Sequence, residues 1–103
     1  MNDTRNETAY TIENIVCDFF SLPIEEVFSK TLNREMEILR HITIYILHKI
    51  YKLSVSFLAK RYDCSTSLIN KVCANITNYI EYDKKFRNQY NCLLRYAKDK
   101  GEL

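Results

Sequence analysis

The stretch VSFLAKRYDCSTSLINKV, residues 55–72, predicts a helix-turn-helix, and the rest of the chain can be interpreted around it. A motif of this kind needs a small residue where its two helices approach each other, and Ala59 fits that position. Its turn needs a residue that tolerates positive φ, which Asp63 does at little cost. Ser65 can cap the second helix through its hydroxyl group. The inward apolar positions would be Leu58, Ile69 and Val72.

The outward face of the second helix carries small and polar residues with one cation, a composition suited to a DNA groove. We expect Thr66, Ser67 and Asn70 to lie nearest to base edges, because asparagine can form two hydrogen bonds with adenine. Lys71 and Ala74 complete that face. An ordinary helical hairpin in a small bundle is the alternative interpretation, since many all-α proteins share the same apolar spacing.

Only one glycine and one proline occur among the 103 residues, so the chain has few of the turn-forming residues that connect strands into hairpins. The sequence therefore predicts an all-α fold, a small bundle of about six helices in one domain. A P-loop or a dinucleotide fingerprint needs at least two glycines, so we expect no nucleotide ligand and no cofactor. We place the domain at residues 10–98, between flexible tails at residues 1–9 and 99–103.

Apolar residues at helical spacing, together with capping residues, place the individual helices. The predicted helices cover residues 10–20, a short segment from Pro23 to Phe28, about Arg34 to Lys52 after an Asn33 cap, a scaffold helix after a Ser54 cap, about Thr66 to Glu81, and a last helix after an Asp83 cap. The last helix carries a stripe that we predict to be core: Phe86, Tyr90, Leu93, Leu94 and Ala97.

The four cysteines, at positions 17, 64, 73 and 92, include no C-x-x-C pair. Two of them fall on expected core positions, so we predict reduced thiols rather than disulfides or metal ligands. The sequence has no signal-like leader and no apolar run of membrane-spanning length, which favours a cytoplasmic protein with no membrane partner. Cys64 is the one candidate nucleophile, but neither histidine has an evident reason to lie beside it. We therefore predict that the chain is not an enzyme.

The net charge of +2 conceals an uneven distribution along the chain. Residues 1–28 have one arginine and six acids, giving −5, whereas residues 29–79 have eight Lys/Arg and three acids, giving +5. A cationic region around a helix-turn-helix is typical of a surface that faces phosphates, although a solvated charged face is the competing explanation. We expect these side chains to contact the DNA backbone: Lys30, Arg34, Arg40, Lys52, Lys60, Arg61 and Lys71.

The order of the elements and several phrases resemble the C-terminal DNA-binding domain of the bacterial replication initiator DnaA. The similarity is gapless from Ile12 to Tyr62, and a second similar stretch, CANITNYIEYD, covers residues 73–83. Val16 to Phe20 follow a V-x-x-x-F pattern, Arg40 to Ile46 resemble R-Q-I-A-M-Y-L, and Leu53 to Tyr62 resemble L-S-L-x-E-I-G-x-x-F. The resemblance implies double-stranded DNA as partner, with the helix-turn-helix in the major groove and a loop arginine in the minor groove.

The same resemblance implies that Arg40 and His41 touch the DNA backbone, with His41 in place of the usual glutamine. This chain also departs from the family pattern. Residues 63–67 replace a longer Gly-Gly-Arg-Asp-His-Ser/Thr segment, so the Arg-Asp-His trio at the start of the recognition helix is missing. The minor-groove arginine falls on Leu32 and a scaffold-helix proline on Ser56. Base recognition depends on particular donors and acceptors, so we expect that the initiator's own site is not recognised.

Two functions fit these observations. The first is a non-enzymatic module that binds double-stranded DNA, with a regulatory role in replication or transcription. The second is a protein-interaction adaptor of the replication or transcription machinery that kept the fold and lost DNA binding. The missing Arg-Asp-His trio and the acidic first 28 residues favour the adaptor. The cationic middle of the chain favours the DNA-binding module.

Overall fold

The computed structural model describes residues 4–28 and 34–102, and every regular element within these two ranges is helical. The elements are α1 (Thr4–Phe20), a 3₁₀ helix (Ile24–Phe28), α2 (Arg34–Lys49), α3 (Val55–Arg61), α4 (Thr66–Tyr82) and α5 (Lys84–Asp99). The predicted all-α fold is confirmed, with five α-helices in the described ranges rather than about six. The difference arises after Pro23, where five residues form a 3₁₀ helix, the usual form of so short a helical segment. Asn33, the expected cap of α2, lies outside the described residues.

Helix α2 is the centre of the bundle. It packs against α1, the 3₁₀ helix, α3 and α4, while α5 packs across α4 and α1. Because α2 is touched from several sides, its buried residues extend around most of its circumference. They are Leu39, Ile42, Thr43, Ile44, Ile46 and Leu47. Ile50 follows the last residue of α2 and is exposed.

Two of the capping residues predicted from the sequence, Ser54 and Asp83, are confirmed here. The hydroxyl oxygen of Ser54 accepts from the Phe57 N–H at 3.1 Å at the start of α3. The Asp83 carboxylate accepts from the Phe86 N–H at 3.0 Å at the start of α5. Each cap satisfies a backbone donor that the first turn of a helix leaves without an intrahelical partner. These residues fix where α3 and α5 begin.

Left-handed residues end three of the helices. Ser21, Lys52 and Asp63 have φ of 58°, 62° and 54°. Only Asp63 was expected there, because serine and lysine are not residue types that favour this conformation. The left-handed turn at Lys52 also explains why α2 stops at Lys49 and not at the predicted Lys52.

Helical structure at both ends of the described chain extends into the segments that the sequence predicted to be tails. We expected a flexible tail at residues 1–9, but α1 begins at Thr4 and Ala9 is fully buried. At the other end, Gly101 has φ of 83° and closes α5, with the Glu102 N–H bonded to the Ala97 carbonyl at 3.0 Å. The Tyr51 hydroxyl then donates to the Glu102 carbonyl, so residues through 102 are tied to the bundle.

The stripe predicted to make α5 a core helix is confirmed. Tyr90, Leu93 and Ala97 are buried, and Phe86 and Leu94 are partly buried against them. The Tyr90 ring meets the Tyr45 ring of α2 edge to face, with the ring centroids 5.8 Å apart. The core of the bundle therefore includes α5.

Candidate nucleic-acid interface

The predicted helix-turn-helix is formed by α3, a turn at residues 62–65 and α4. Asp63 adopts its left-handed conformation in the turn, and the Cys64 N–H donates to the Ala59 carbonyl at 2.9 Å. The Ser65 hydroxyl oxygen accepts from the Leu68 N–H at 3.1 Å and caps α4, as predicted. These local bonds fix the direction in which α4 leaves the turn.

Helix α4 has one buried face and one open face. Ile69, Val72, Cys73 and Ile76 are buried against α2 and α3. The opposite face is exposed and carries the residues that we expected nearest to base edges, namely Thr66, Ser67 and Asn70, together with Lys71, Ala74 and Asn78. Over these positions the face has one cation and no acid, so it can approach a negatively charged groove.

A groove of about 280 Å³ between α2 and α4 brings together three of the residues expected to contact the DNA backbone. Arg34 and His41 come from α2, and Lys71 comes from α4. They lie far apart in the sequence and meet because α4 packs along α2. Asn75 adds an amide group to the lining, and Glu37 adds its single carboxylate. The groove thus offers several hydrogen-bond donors beside the open face of α4.

His41 is half-buried in this groove. Burial lowers the pKa of His41 from the ordinary value of 6.5, and the nearby Arg40 cation lowers it further, against an opposing effect of the Glu37 carboxylate. The neutral imidazole is therefore the main form at pH 7. A neutral imidazole still donates one N–H, so His41 can bond a phosphate oxygen without carrying a charge.

Arg61, which we expected on the DNA backbone, is engaged inside the protein. Its Nε and Nη2 donate to the Glu13 carboxylate at 2.7 and 2.8 Å, and its Nη1 donates to Asn6 at 2.9 Å. Its side chain is 17% exposed and that of Glu13 is fully buried. The bidentate bond to Glu13 raises the pKa of Arg61. We therefore withdraw Arg61 from the expected set of DNA contacts.

The same carboxylate also accepts from the Tyr62 hydroxyl in the turn of the motif. Tyr62 is buried, and burial followed by the Glu13 charge raises the pKa of its hydroxyl far above 10. The Phe28 ring stacks on the Tyr62 ring with centroids 5.7 Å apart, and the Arg61 guanidinium lies over Phe28. We call Glu13, Arg61, Tyr62 and Phe28 the inner seam, because they attach the motif to α1 and the 3₁₀ helix.

The remaining cations of the expected set lie in different situations. Lys52 is exposed in the turn between α2 and α3, and Lys60 is exposed at the end of α3. Within the described ranges, neither Lys60 nor Lys71 takes part in an ion pair. Arg40 is half-buried and has a partner within the protein. Lys30 and Leu32, the latter at the position of the family's minor-groove arginine, lie outside the described residues.

Sequence reasoning missed Glu13, although a signal was present. Ala9, Ile12, Glu13 and Val16 follow the i, i+3, i+4, i+7 spacing of one buried helix face, and all four are buried. A carboxylate at such a position must find a buried cation or hydrogen-bond donor. The position of Glu13 on an apolar stripe thus predicts a structural partner, but it does not say which arginine supplies it.

Within the described residues, the cysteines form no disulfide and the potential metal ligands form no cluster. Cys17 and Cys73 are buried as expected, Cys64 is half-buried and Cys92 is exposed, and all four are free thiols. Across residues 4–28 and 34–102, no three side chains of the His, Cys, Asp or Glu type gather closely enough to hold a metal ion. No helix in the described part of the chain has the length and apolarity that a membrane span needs.

Comparison with known proteins agrees with this geometry. The family model described as the bacterial dnaA protein helix-turn-helix matches residues 9–76, which is more than half of the chain. The matched range begins within α1, ends at Ile76 within α4 and does not reach α5. The family is a DNA-binding family and not a family of enzymes. No curated protein matches the sequence.

Proposed function

Because the chain belongs to the bacterial DnaA helix-turn-helix family, we propose that it is a double-stranded-DNA-binding module without enzymatic activity, and that α4 enters the major groove. A recognition helix of this kind contacts base edges with residues near its N-terminus. Thr66, Ser67 and Asn70 occupy that end of α4 and are exposed. A regulatory role in replication or transcription forms part of the proposal.

The observation that carries the proposal is the contrast between the two faces of α4. The inward face is buried in the core, while the outward face is polar and has no acid from Thr66 through Asn78. Ser65 caps the N-terminus of the helix. A solvated helix face normally mixes both charge signs, whereas a groove-binding face avoids carboxylates. The packing of α2 beside α4 adds Arg34 and His41 next to this face.

Backbone contacts and base contacts are assigned separately. We propose Arg34, Arg40, His41, Lys52, Lys60 and Lys71 for the phosphates, with Lys30 as a further candidate outside the described residues. If about six cations engage phosphates, Lys30 included and the neutral His41 not counted, the logarithm of the affinity falls with the logarithm of salt concentration at a slope of about −5. The DNA sequence differs from that of the initiator's own site, because the Arg-Asp-His trio that the resemblance implies for base reading is missing here.

The proposal is tested by selecting bound duplexes from a random library and then measuring the affinity of the enriched duplexes by fluorescence anisotropy. Lys71→Ala is expected to weaken binding to all sequences about equally, since a phosphate contact carries no sequence information. Asn70→Ala is expected to relax the preference at one base pair, worth about 1–3 kcal/mol of discrimination. A flat salt response, or no bound duplex at low salt, would contradict DNA binding.

A protein-interaction adaptor remains the second candidate, and one feature of the surface favours it. Leu68, Tyr79 and Tyr82 lie on α4 and are 43%, 41% and 79% exposed. Aromatic residues are enriched in protein interfaces, and these three are spaced along one side of the helix. A Tyr79→Ala/Tyr82→Ala double variant separates the candidates. If the adaptor function holds, it should abolish capture of a stoichiometric protein partner, and no chain should bind a duplex at low salt. If the DNA-binding function holds, it should leave duplex affinity unchanged.

A further inference from the structure

Helix α5 carries an unusual distribution of charge on its exposed side. Helix α5 contains five Lys/Arg and one acid, Asp99, which is its last residue. At 100° per residue, five exposed residues fall within about 80° of the helix circumference. They are Lys84, Asn88, Asn91, Arg95 and Lys98. With the neighbouring exposed Lys85, we call these residues the α5 basic face.

The α5 basic face is not required by the fold. The opposite side of α5 supplies its core contacts through Tyr90, Leu93 and Ala97. Arg87 is excluded from the face because its Nη1 donates to the carbonyl oxygens of Ile80 and Glu81 at 3.3 and 3.2 Å. The four cations of the face take part in no ion pair within the described residues. Their positive charge is therefore available to an external partner.

Local electrostatics oppose two of these cations. Lys84 and Lys85 lie in the first turn of α5, which has no acid of its own beyond the preceding Asp83 cap. The N-terminal end of a helix is the positive end of its dipole, so it favours acids and disfavours lysine. Residues that act against local stability are expected where a function requires them.

We infer that the α5 basic face binds phosphates of the duplex beyond the base pairs that α4 reads, without sequence preference. This inference rests on the duplex-binding function proposed above. Only Asp83 separates α4 from α5, and Phe86 lines the same groove as Arg34 and Lys71, so the start of α5 adjoins the proposed phosphate contacts. The face spans about 21 Å, which matches roughly six base-pair steps of a duplex.

Two other anionic partners fit the chemistry of this face less well. A helix that binds a membrane surface inserts an apolar side into the lipid, and the apolar side of α5 is buried in the core. An acidic protein would be expected to meet apolar anchors as well as charges, and the α5 basic face has asparagines between its cations. Asparagine donates hydrogen bonds to phosphate oxygens, as it does in many protein–DNA contacts.

The test compares charge-matched double variants of the full chain on two duplexes, one just spanning the site read by α4 and one with long flanks. Arg95→Gln/Lys98→Gln is expected to flatten the salt slope on the long duplex by about 2, because two phosphate contacts are lost. It should leave the slope on the short duplex and the base preference unchanged. Lys49→Gln/Lys100→Gln removes the same charge from exposed positions outside the face and should leave both slopes unchanged.

Lys84→Gln/Lys85→Gln serves as the second variant, since removing lysines from the first turn should not lower the melting temperature. It is expected to flatten the long-duplex slope to a similar extent, so that weaker binding cannot be attributed to unfolding. The inference is overturned if the α5 variants match the Lys49→Gln/Lys100→Gln control. It is also overturned if the wild-type chain prefers phosphatidylserine vesicles to duplex DNA and the α5 variants lose that binding.

The same experiment separates this inference from the function on which it rests. An Asn70→Ala/Lys71→Ala variant that keeps the full affinity and base preference of the wild type would remove the role of α4. If the salt slope of that variant were still steeper on the long duplex than on the short one, and this difference were lost in the α5 variants, phosphate binding by the α5 basic face would stand without base reading by α4. If the α4 variant lost its base preference and every chain had equal salt slopes on the short and long duplexes, base reading by α4 would stand and only the inference about α5 would be wrong.

Discussion

Lys60 and Arg61 are neighbouring cations at the end of α3, yet they belong to two different regions of the molecule. Arg61 points into the inner seam, where the fully buried Glu13 carboxylate accepts two of its N–H groups. Lys60 is exposed on the outer side of the helix-turn-helix and has no ion pair among the described residues. A positive charge in the sequence therefore has a structural use in one region and is available for binding in the other.

The comparison implies that substitutions in the inner seam change stability, whereas substitutions on the outer face change binding. The inner seam holds the motif in position against α1, and its Glu13 carboxylate and Tyr62 hydroxyl are buried. The open face of α4, which we also call the outer face, consists of exposed side chains whose removal leaves no buried group without a partner. Four predictions test this division, beginning with the change expected to have the largest effect.

Glu13→Ala is expected to lower the free energy of unfolding by about 3 kcal/mol, because removing one partner strands the Arg61 guanidinium in a largely desolvated position. Urea denaturation monitored by circular dichroism gives this value. Glu7→Ala, an exposed acid on the same helix, is the matched control and should change stability little. Equal stability of the two variants would show that the inner seam does not hold the motif.

Tyr62→Phe is expected to cost about 2 kcal/mol, since hydrogen bonds to charged groups contribute about 1.5–3 kcal/mol. The ring would remain stacked on Phe28, so the loss reports the hydroxyl group alone. The same urea titration measures this loss of stability. Tyr82→Phe is the control, because Tyr82 is exposed on α4. A cost no greater than that of the control would remove Tyr62 from the polar network.

Ser65→Ala and Ser67→Ala separate structure from binding within one turn of α4. Ser65→Ala is expected to cost about 1 kcal/mol of stability, because the first turn loses its cap. Ser67→Ala should change the melting temperature little and alter the base preference of the selected duplex. Differential scanning calorimetry and anisotropy measure the two effects, and a reversed pattern would mean that the outward face of α4 has been misassigned.

The smallest expected effect is a pH dependence at His41. Its folded-state pKa is lowered from 6.5, so the unfolded chain binds a proton more readily and the His41 contribution to stability is lost as the pH falls below 6.5. His41→Gln, which restores the residue typical of the family, should lose less stability than the wild type over that range. Parallel curves of the two proteins between neutral and mildly acidic pH would contradict the assignment.

Features set by neighbouring residues could be predicted from the sequence. The caps at Ser54, Ser65 and Asp83 and the left-handed Asp63 depend on residues within one turn of each other, and all are present. The core stripe of α5 follows from helical spacing in the same way. Local chemistry therefore placed the motif and most of its open face.

Features set by residues distant in the chain could not be predicted. Glu13 and Arg61 are 48 positions apart, and only the packing of α1 on the motif brings them together. The sequence marks both as charged, but it does not distinguish a cation that binds Glu13 from one that faces solvent. The left-handed turns at Ser21 and Lys52 were missed because these residue types do not favour that conformation.

The most direct test of the account is the change in backbone amide chemical shifts when the selected duplex is added to the isotope-labelled chain. We expect the largest changes at Ser67, Asn70, Lys71 and Ala74 on the open face of α4, with small changes at Glu13 and Tyr62 of the inner seam. Changes concentrated on α1 and the inner seam, with none on that face of α4, would contradict the account.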